Sequence, residues 1–441
     1  MYALAVQQAI NEMDKSNKDH VSIDFDKLED SLRGEFKTLY PFSKDRCIYR
    51  VPSKTRMLNQ SFYTPKMVSI GPLHHGRKEL KAMEEHKLRY LQQFLDRTRV
   101  GMQTFLKFIK YNEIKLRNCY AETIKFGSEA FVKMILLDAV FLIEILLRYS
   151  PGFDNIFTIV DPIFTGPGMI IEMMFDIMSL ENQLPIFILE DLFKLANPTM
   201  PEEYEGYSLS QFTSFSFEHI CEVLLIKKTL LEFHFSKSKH FVDLLTICLE
   251  PPKRFNTKKQ ADSQAAPNVT ILHQSGVKFE LASDKKLLDI TFNKWTLEIP
   301  KLTISNMSVH LLRNLQIFEK LHYGTNYIND YDMLLHRLLS TPKDVEFLTH
   351  IGVIENRILD SEGVSTVFRQ LSRDARVHNS NFYYSGVVKD LQDYCKSPYN
   401  EQITNLKQNY FNTPWSGIKV VVAGIILVLT FIQAICSILG L

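Results

Sequence analysis

FVKMILLDAVFLIEILLR, residues 131–148, reads as a helix that is apolar around most of its circumference. At 100° per residue, Lys133, Glu144 and Arg148 fall within one narrow arc, while Ile135, Leu136, Phe141 and Leu142 face elsewhere. Such a helix is mostly buried in a protein interior. Its charges argue against a membrane span. Asp138 lies off the polar arc and needs a partner if it is buried.

Working outward, the pattern stays helical. Leu88, Leu91 and Leu95 repeat on one face of a helix expected over about 80–97, supported by the Glu85–Arg89 pair. A third helix is expected over about 169–181, with Glu172, Asp176 and Ser179 as one polar stripe facing solvent or an inter-helix ion pair. Pro185 suits the first turn of the helix that follows. Residues 197–216 read as a polar loop, followed by helices at about 217–233 and 240–249. Further helices are expected at about 309–321, 330–339, 343–350, 362–371 and 386–395. Between the two groups, VKFEL, LLDITF and TLEIPKLTI carry β-branched residues in partial alternation, which predicts a small sheet at about 277–304. The fold class expected is mainly α: a large helical domain with a small β-sheet insertion in its second half.

The flanks are simpler. Residues 1–45 read as a variable leader, with a short amphipathic helix in IDFDKLEDSLRGEF that sets Leu28, Leu32 and Phe36 on one face. Residues 46–76 are punctuated by Pro52, Pro65, Gly71, Pro72 and Gly76 and read as extended or turn structure. The Pro-, Lys- and Gln-rich stretch 250–268 reads as a mobile insertion within a domain of residues 46–412. VVVAGIILVLTFIQAICSILGL, residues 420–441, is uncharged and long enough for a bilayer core. Lys419 and the rings of Tyr410, Phe411 and Trp415 precede it as interfacial groups. Residues 418–441 are therefore expected to form a C-terminal transmembrane helix. With no signal peptide in MYALAVQQAI, the expectation is a single-pass, tail-anchored membrane protein whose large domain faces the cytosol.

Chemistry is harder to find. A net charge of +1 over 441 residues, with no basic stripe, argues against nucleic-acid binding. Cys47, Cys119, Cys221, Cys248, Cys395 and Cys436 include no CxxC pair and read as buried free thiols. GPLHHGRK, residues 71–78, mimics the spacing of a phosphate-binding loop. Arg77 stands where the lysine should, Lys78 where the hydroxyl should, and Pro72 removes a backbone donor. His74 and His75, adjacent in an extended loop, point to opposite sides and do not share a metal. No GxSxG elbow is present. No catalytic, cofactor-binding or metal-ligating residue is assigned, and no cofactor is expected.

Several blocks resemble one family in order. IYRVPSKTRMLNQSFYTPKMVSIGPLHHGRKELKAMEEHKLRYLQQFL opens the resemblance at Ile48; FVKMILLDAVFLIEILLR, DIMSLENQLPIFILEDLF, GVKFELASDKKLLDITF and LEIPKLTI continue it. RNLQIFEKL, DVEFLTHIGVIEN and YFNTPWSGIKV with its apolar tail complete it. These look like the plant proteins called domain of unknown function 247, in which VSIGPYHHG is common; here Leu73 replaces the aromatic. The resemblance implies a plant origin, a largely helical domain and one C-terminal span. It brings no catalytic residues. Some relatives are linked to self-recognition in grasses, which favours an interaction, recognition or signalling role with a protein partner. A membrane-tethered, hydrolase-like enzyme and a structural or trafficking adaptor are the alternatives.

Overall fold

A computed structural model describes residues 6, 23–36, 43–58, 60–98, 100–150, 160–196, 206–251, 266–357, 360–374, 382–397 and 414–439. The first long helix is α1 (Ala82–Thr98), followed by α2 (Met102–Tyr111) and the central helix α3 (Ser128–Arg148). From Met134 to Arg148 every residue of α3 is buried. The stretch that reads as apolar all round is thus the middle of the core. Helices α1, α2, α4 (Ile186–Ala196) and α5 (Leu209–Ser216) all pack on it. Tyr90 of α1 stacks on Phe141 at 5.2 Å. Of the expected polar arc, only Lys133 reaches solvent. Glu144 and Arg148 are buried and join across helices, Glu144 to Arg97 and Arg148 to Asp161 at 2.9 Å.

Three local expectations need correction. A helix occupies residues 209–216 where a polar loop was expected. Its hydroxyls bond back to their own turn, Thr213 Oγ1 to Leu209 O at 2.8 Å and Ser216 Oγ to Phe212 O at 3.0 Å, so polar residues sit buried within it. The helix expected over 217–233 is two, Glu218–Leu224 and Lys228–Phe235, parted at Leu225 with φ +52°. The helix from Met169 stops at Ile177. There the Gln183 amide donates to Ile177 O at 2.6 Å and the Asn182 amide to Asp176 O at 3.0 Å, taking carbonyls that a longer helix would use.

The second half carries the sheets. Strands β1 (Lys278–Ala282), β2 (Thr291–Asn293) and β3 (Thr296–Pro300) lie in the order β1-β3-β2, β1 parallel and β2 antiparallel to β3. β4 (Leu302–Ile304) pairs in parallel with β5 (Ile354–Asn356), a strand outside the expected stretch. Between them run helices Asn306–His322, Tyr327–Leu338 and Pro342–His350, within a residue or a turn of expectation. The amphipathic helix of the leader forms over Phe25–Phe36, but none of its residues is buried. Most of the expected insertion, 252–265, and the rings of Tyr410 and Phe411 lie outside the described residues.

The C-terminal expectation is also corrected. A helix runs over Pro414–Leu439, yet among the described residues no helix is long and apolar enough to cross a membrane. Its described side chains lie between Val422 and Ile435, about 20 Å of helix against a hydrocarbon core of about 30 Å. α3 is longer than that stretch, but it carries Lys133, Asp138, Glu144 and Arg148 and is buried in protein. A transmembrane helix at 418–441 is therefore not supported. Neither is the single-pass membrane location with a cytosol-facing domain that was inferred from it.

Candidate functional site

Residues 65–71 belong to no helix or strand, so their backbone groups need other partners. Side chains supply them. The Asp176 carboxylate accepts from the N–H groups of Lys66, Met67 and Val68 at 2.9, 2.6 and 2.9 Å. Asn182 accepts from Ile70 N at 2.7 Å and donates to Val68 O at 3.0 Å. Asp138 of α3 accepts from Gly71 N at 2.8 Å. Lys87 of α1 donates to Ser69 O and to Asp138, both at 2.6 Å. Burial would lower the Lys87 pKa, but Asp138 and Glu84 outweigh it and hold it above the ordinary lysine value. The partner that Asp138 requires is thus Lys87, contributed by a different helix.

Glu181 gathers the second half of this cradle. Its carboxylate accepts from Val51 N at 2.5 Å and from Arg56, with His74 Nε2 at 3.0 Å and Arg50 at 3.5 Å. Burial pushes the Glu181 pKa up, but His74, the Val51 N–H and Arg56 together bring it below the usual range. Gly71 sits at φ +72° in a close fit: a Cβ there would lie 2.8 Å from both Gln183 O and Tyr120 Oη. Two sequence blocks, SIGPLHH and SLENQ, therefore form one hydrogen-bonded unit against α3.

Each sequence candidate now has a place. Glu172 is exposed and Asp176 is buried, so the expected stripe splits. Asp176 meets neither solvent nor a cation; it caps backbone N–H groups. His74 and His75 do point apart, His74 to Glu181 and His75 edge-on to Phe126 at 5.5 Å. The Gly71 N–H is consumed by Asp138, so the loop's first donor faces a carboxylate and not a phosphate cradle. Four of the cysteines, Cys47, Cys119, Cys221 and Cys248, are buried and free. Among the described residues no group of three or more His, Cys, Asp or Glu is placed to hold a metal.

The outer side of the loop borders a groove of about 550 Å³ between the start of α1 and the exposed first turns of α3. A smaller cavity of about 140 Å³ contains Glu319. Both oxygens of that carboxylate are already engaged, by Tyr327 N at 2.7 Å, Ile328 N at 3.0 Å and Thr325 Oγ1 at 3.0 Å.

A family model described as a plant protein of unknown function, DUF247, matches residues 48–429. The chain belongs to the DUF247 family. The UPF0481 protein At3g47200 of Arabidopsis thaliana is 30% identical over 418 residues, covering 89% of this chain and 86% of that protein. The putative UPF0481 protein At3g02645 of the same plant is 21% identical over 484 residues, covering 88% and 89%. No solved structure matches the chain. The DUF247 match contains the whole cradle, from Val51 through Gln183. Sequence reading quoted both of its halves as family blocks without joining them. The available signal was a run of Asp, Glu, Asn and Gln in 176–183 opposite a Gly- and Pro-marked segment lacking any strand to pair with.

Proposed function

We propose that this DUF247 chain is a recognition protein that binds a partner and turns over no substrate. One observation carries the reading: the buried carboxylates at the site are spent on structure. Asp176, Asp138 and Glu181 hold backbone N–H groups and buried cations, and Glu319 does the same at the smaller cavity. A general acid or base needs a titratable group facing the space where substrate would sit. Asp176 and Glu319 border hollows, but their oxygens are engaged by backbone N–H groups of the chain itself. The result is a rigidly held loop beside an open groove, an arrangement suited to presenting a fixed surface.

The test uses the purified full chain. Quantitative affinity purification from plant tissue, followed by calorimetry with each purified candidate, should yield a saturable complex that forms no product. Hydrolysis of an ester, phosphoester or glycoside panel by the chain, abolished by Ser69→Ala at the groove, would replace this reading with the hydrolase one.

A further inference from the structure

The groove beside the Gly71 loop has an unbalanced lining. Arg77, Lys78, Lys81 and Lys133 face it, against the single carboxylate of Glu84. Glu84 is already engaged by Lys87 at 2.6 Å. Among the described residues no ion pair involves Lys78, Lys81 or Lys133, and Arg77 makes two long contacts, 3.7 Å to the exposed Glu79 and 3.5 Å from Nη1 to His74 Nδ1. Protein surfaces ordinarily intersperse the two signs, so a cluster of four cations around one concavity raises the local concentration of anions.

A second observation is independent of that charge. Ser69 lines the same groove and is only 2% exposed, yet its Oγ has no hydrogen-bond partner among the described residues. The same holds for His75 Nδ1, buried at the groove wall. Buried polar atoms left unmet cost about 1–3 kcal/mol each, so native proteins rarely keep them without cause. Here both sit at the wall of a cationic hollow. Leu80, Met134 and Leu137 add an apolar floor.

We infer that this groove binds a small phosphomonoester. The dianionic head suits the four cations and offers acceptor oxygens to Ser69 Oγ–H and to the His75 ring. A compact apolar or ring-shaped body would cover the floor. The volume falls within the range of about 300–1,000 Å³ typical of small-molecule sites. A cationic lining excludes a metal ion. The site stands whether or not the chain also binds a protein. The phosphate can belong to a soluble metabolite or to a lipid headgroup, since the recognising chemistry is the same.

Calorimetry of the full chain with phenyl phosphate and with inorganic phosphate tests it. Phenyl phosphate should bind more tightly than phosphate, and both more weakly at raised salt. The double substitution Lys81→Glu/Lys133→Glu, at exposed positions, should weaken phenyl phosphate at least about tenfold with unchanged Tm. Ser69→Ala should weaken it a few-fold at any salt concentration. Flotation with phosphatidylcholine vesicles, with and without a phosphatidylinositol monophosphate, separates the sources. Flotation that needs the phosphoinositide and is lost in the double variant assigns a lipid headgroup; binding of phenyl phosphate without such flotation assigns a soluble ligand. Absence of heat with either phosphate at millimolar concentration, or affinity indifferent to the double charge reversal, would overturn the site.

Discussion

Lys87 Nζ lies 2.6 Å from Asp138 Oδ1, and both side chains are buried. This pair ties α1 to the central helix. Through the other oxygen of Asp138 it also fixes Gly71. Removing one partner strands the other charge, which is worse than never having had the pair. Asp138→Ala should therefore destabilise the protein by about 3 kcal/mol, near the low end for a broken buried pair because Glu84 still contacts Lys87. The double change Lys87→Met/Asp138→Leu should recover part of that loss. Urea denaturation of the wild type, Lys87→Met, Asp138→Leu and the double variant gives the coupling. If the double variant falls by the sum of the two single ones, the pair does not act as a unit.

Two glycines of the same loop separate strain from crowding. Gly71 and Gly76 have φ of +72° and +84°. A Cβ on Gly71 meets Gln183 O and Tyr120 Oη at 2.8 Å, whereas one on Gly76 meets nothing within 4 Å. Gly76→Ala should cost about 1 kcal/mol, the left-handed penalty alone. Gly71→Ala adds a backbone collision and should cost about 2–4 kcal/mol. Equal denaturation midpoints for the two variants would show that the Gly71 contact is readily relaxed.

The central helix was legible because burial on every side leaves a signature in composition alone, and Asp138 stood out as a charge with no local excuse. The cradle was less legible. Hydrogen bonds from the N–H groups of Lys66, Met67 and Val68 to the Asp176 carboxylate join residues more than a hundred positions apart, and periodicity within a window does not register them. The break at Leu225 was hidden for a different reason. A leucine at φ +52° gives no local sign of a helix end, because glycine or asparagine normally holds that place. The terminal apolar run shows the converse: hydropathy predicts a span from sequence, while among the described residues no helix is long and apolar enough to make one.

Asp330 gives the fold a pH dependence of known sign. Burial raises its carboxyl to about 7, with the Tyr383 N–H at 2.7 Å opposing and the nearby Glu319 charge adding. Its unfolded value is about 3.9. The folded state therefore holds the proton more tightly. The resulting stability is fully present below about pH 4 and is lost as pH rises through about 7. Asp330→Asn keeps an acceptor for Tyr383 N and cannot ionise. Its Tm should exceed that of the wild type at pH 8, and the gap should narrow as pH falls through about 7 and close near pH 4. A constant offset across that window would show that Asp330 does not titrate there.

The β2–β3 hairpin turns on two residues that are poorly suited to it. Asn293 pairs with Thr296, leaving Lys294 and Trp295 as a two-residue loop with φ of +44° and +70°. Tight hairpins place both loop residues at positive φ, and Asn-Gly is the pair that adopts this at least cost. Trp295 is 65% exposed, so little burial offsets its strain. Lys294→Asn/Trp295→Gly should relieve roughly 2 kcal/mol of left-handed strain in the folded state. Glycine returns part of this by loosening the unfolded chain, leaving a net gain of about 1 kcal/mol. Guanidinium denaturation would register this as a higher midpoint at unchanged slope. A lower midpoint would mean that the Trp295 ring contributes packing worth more than the strain its backbone carries.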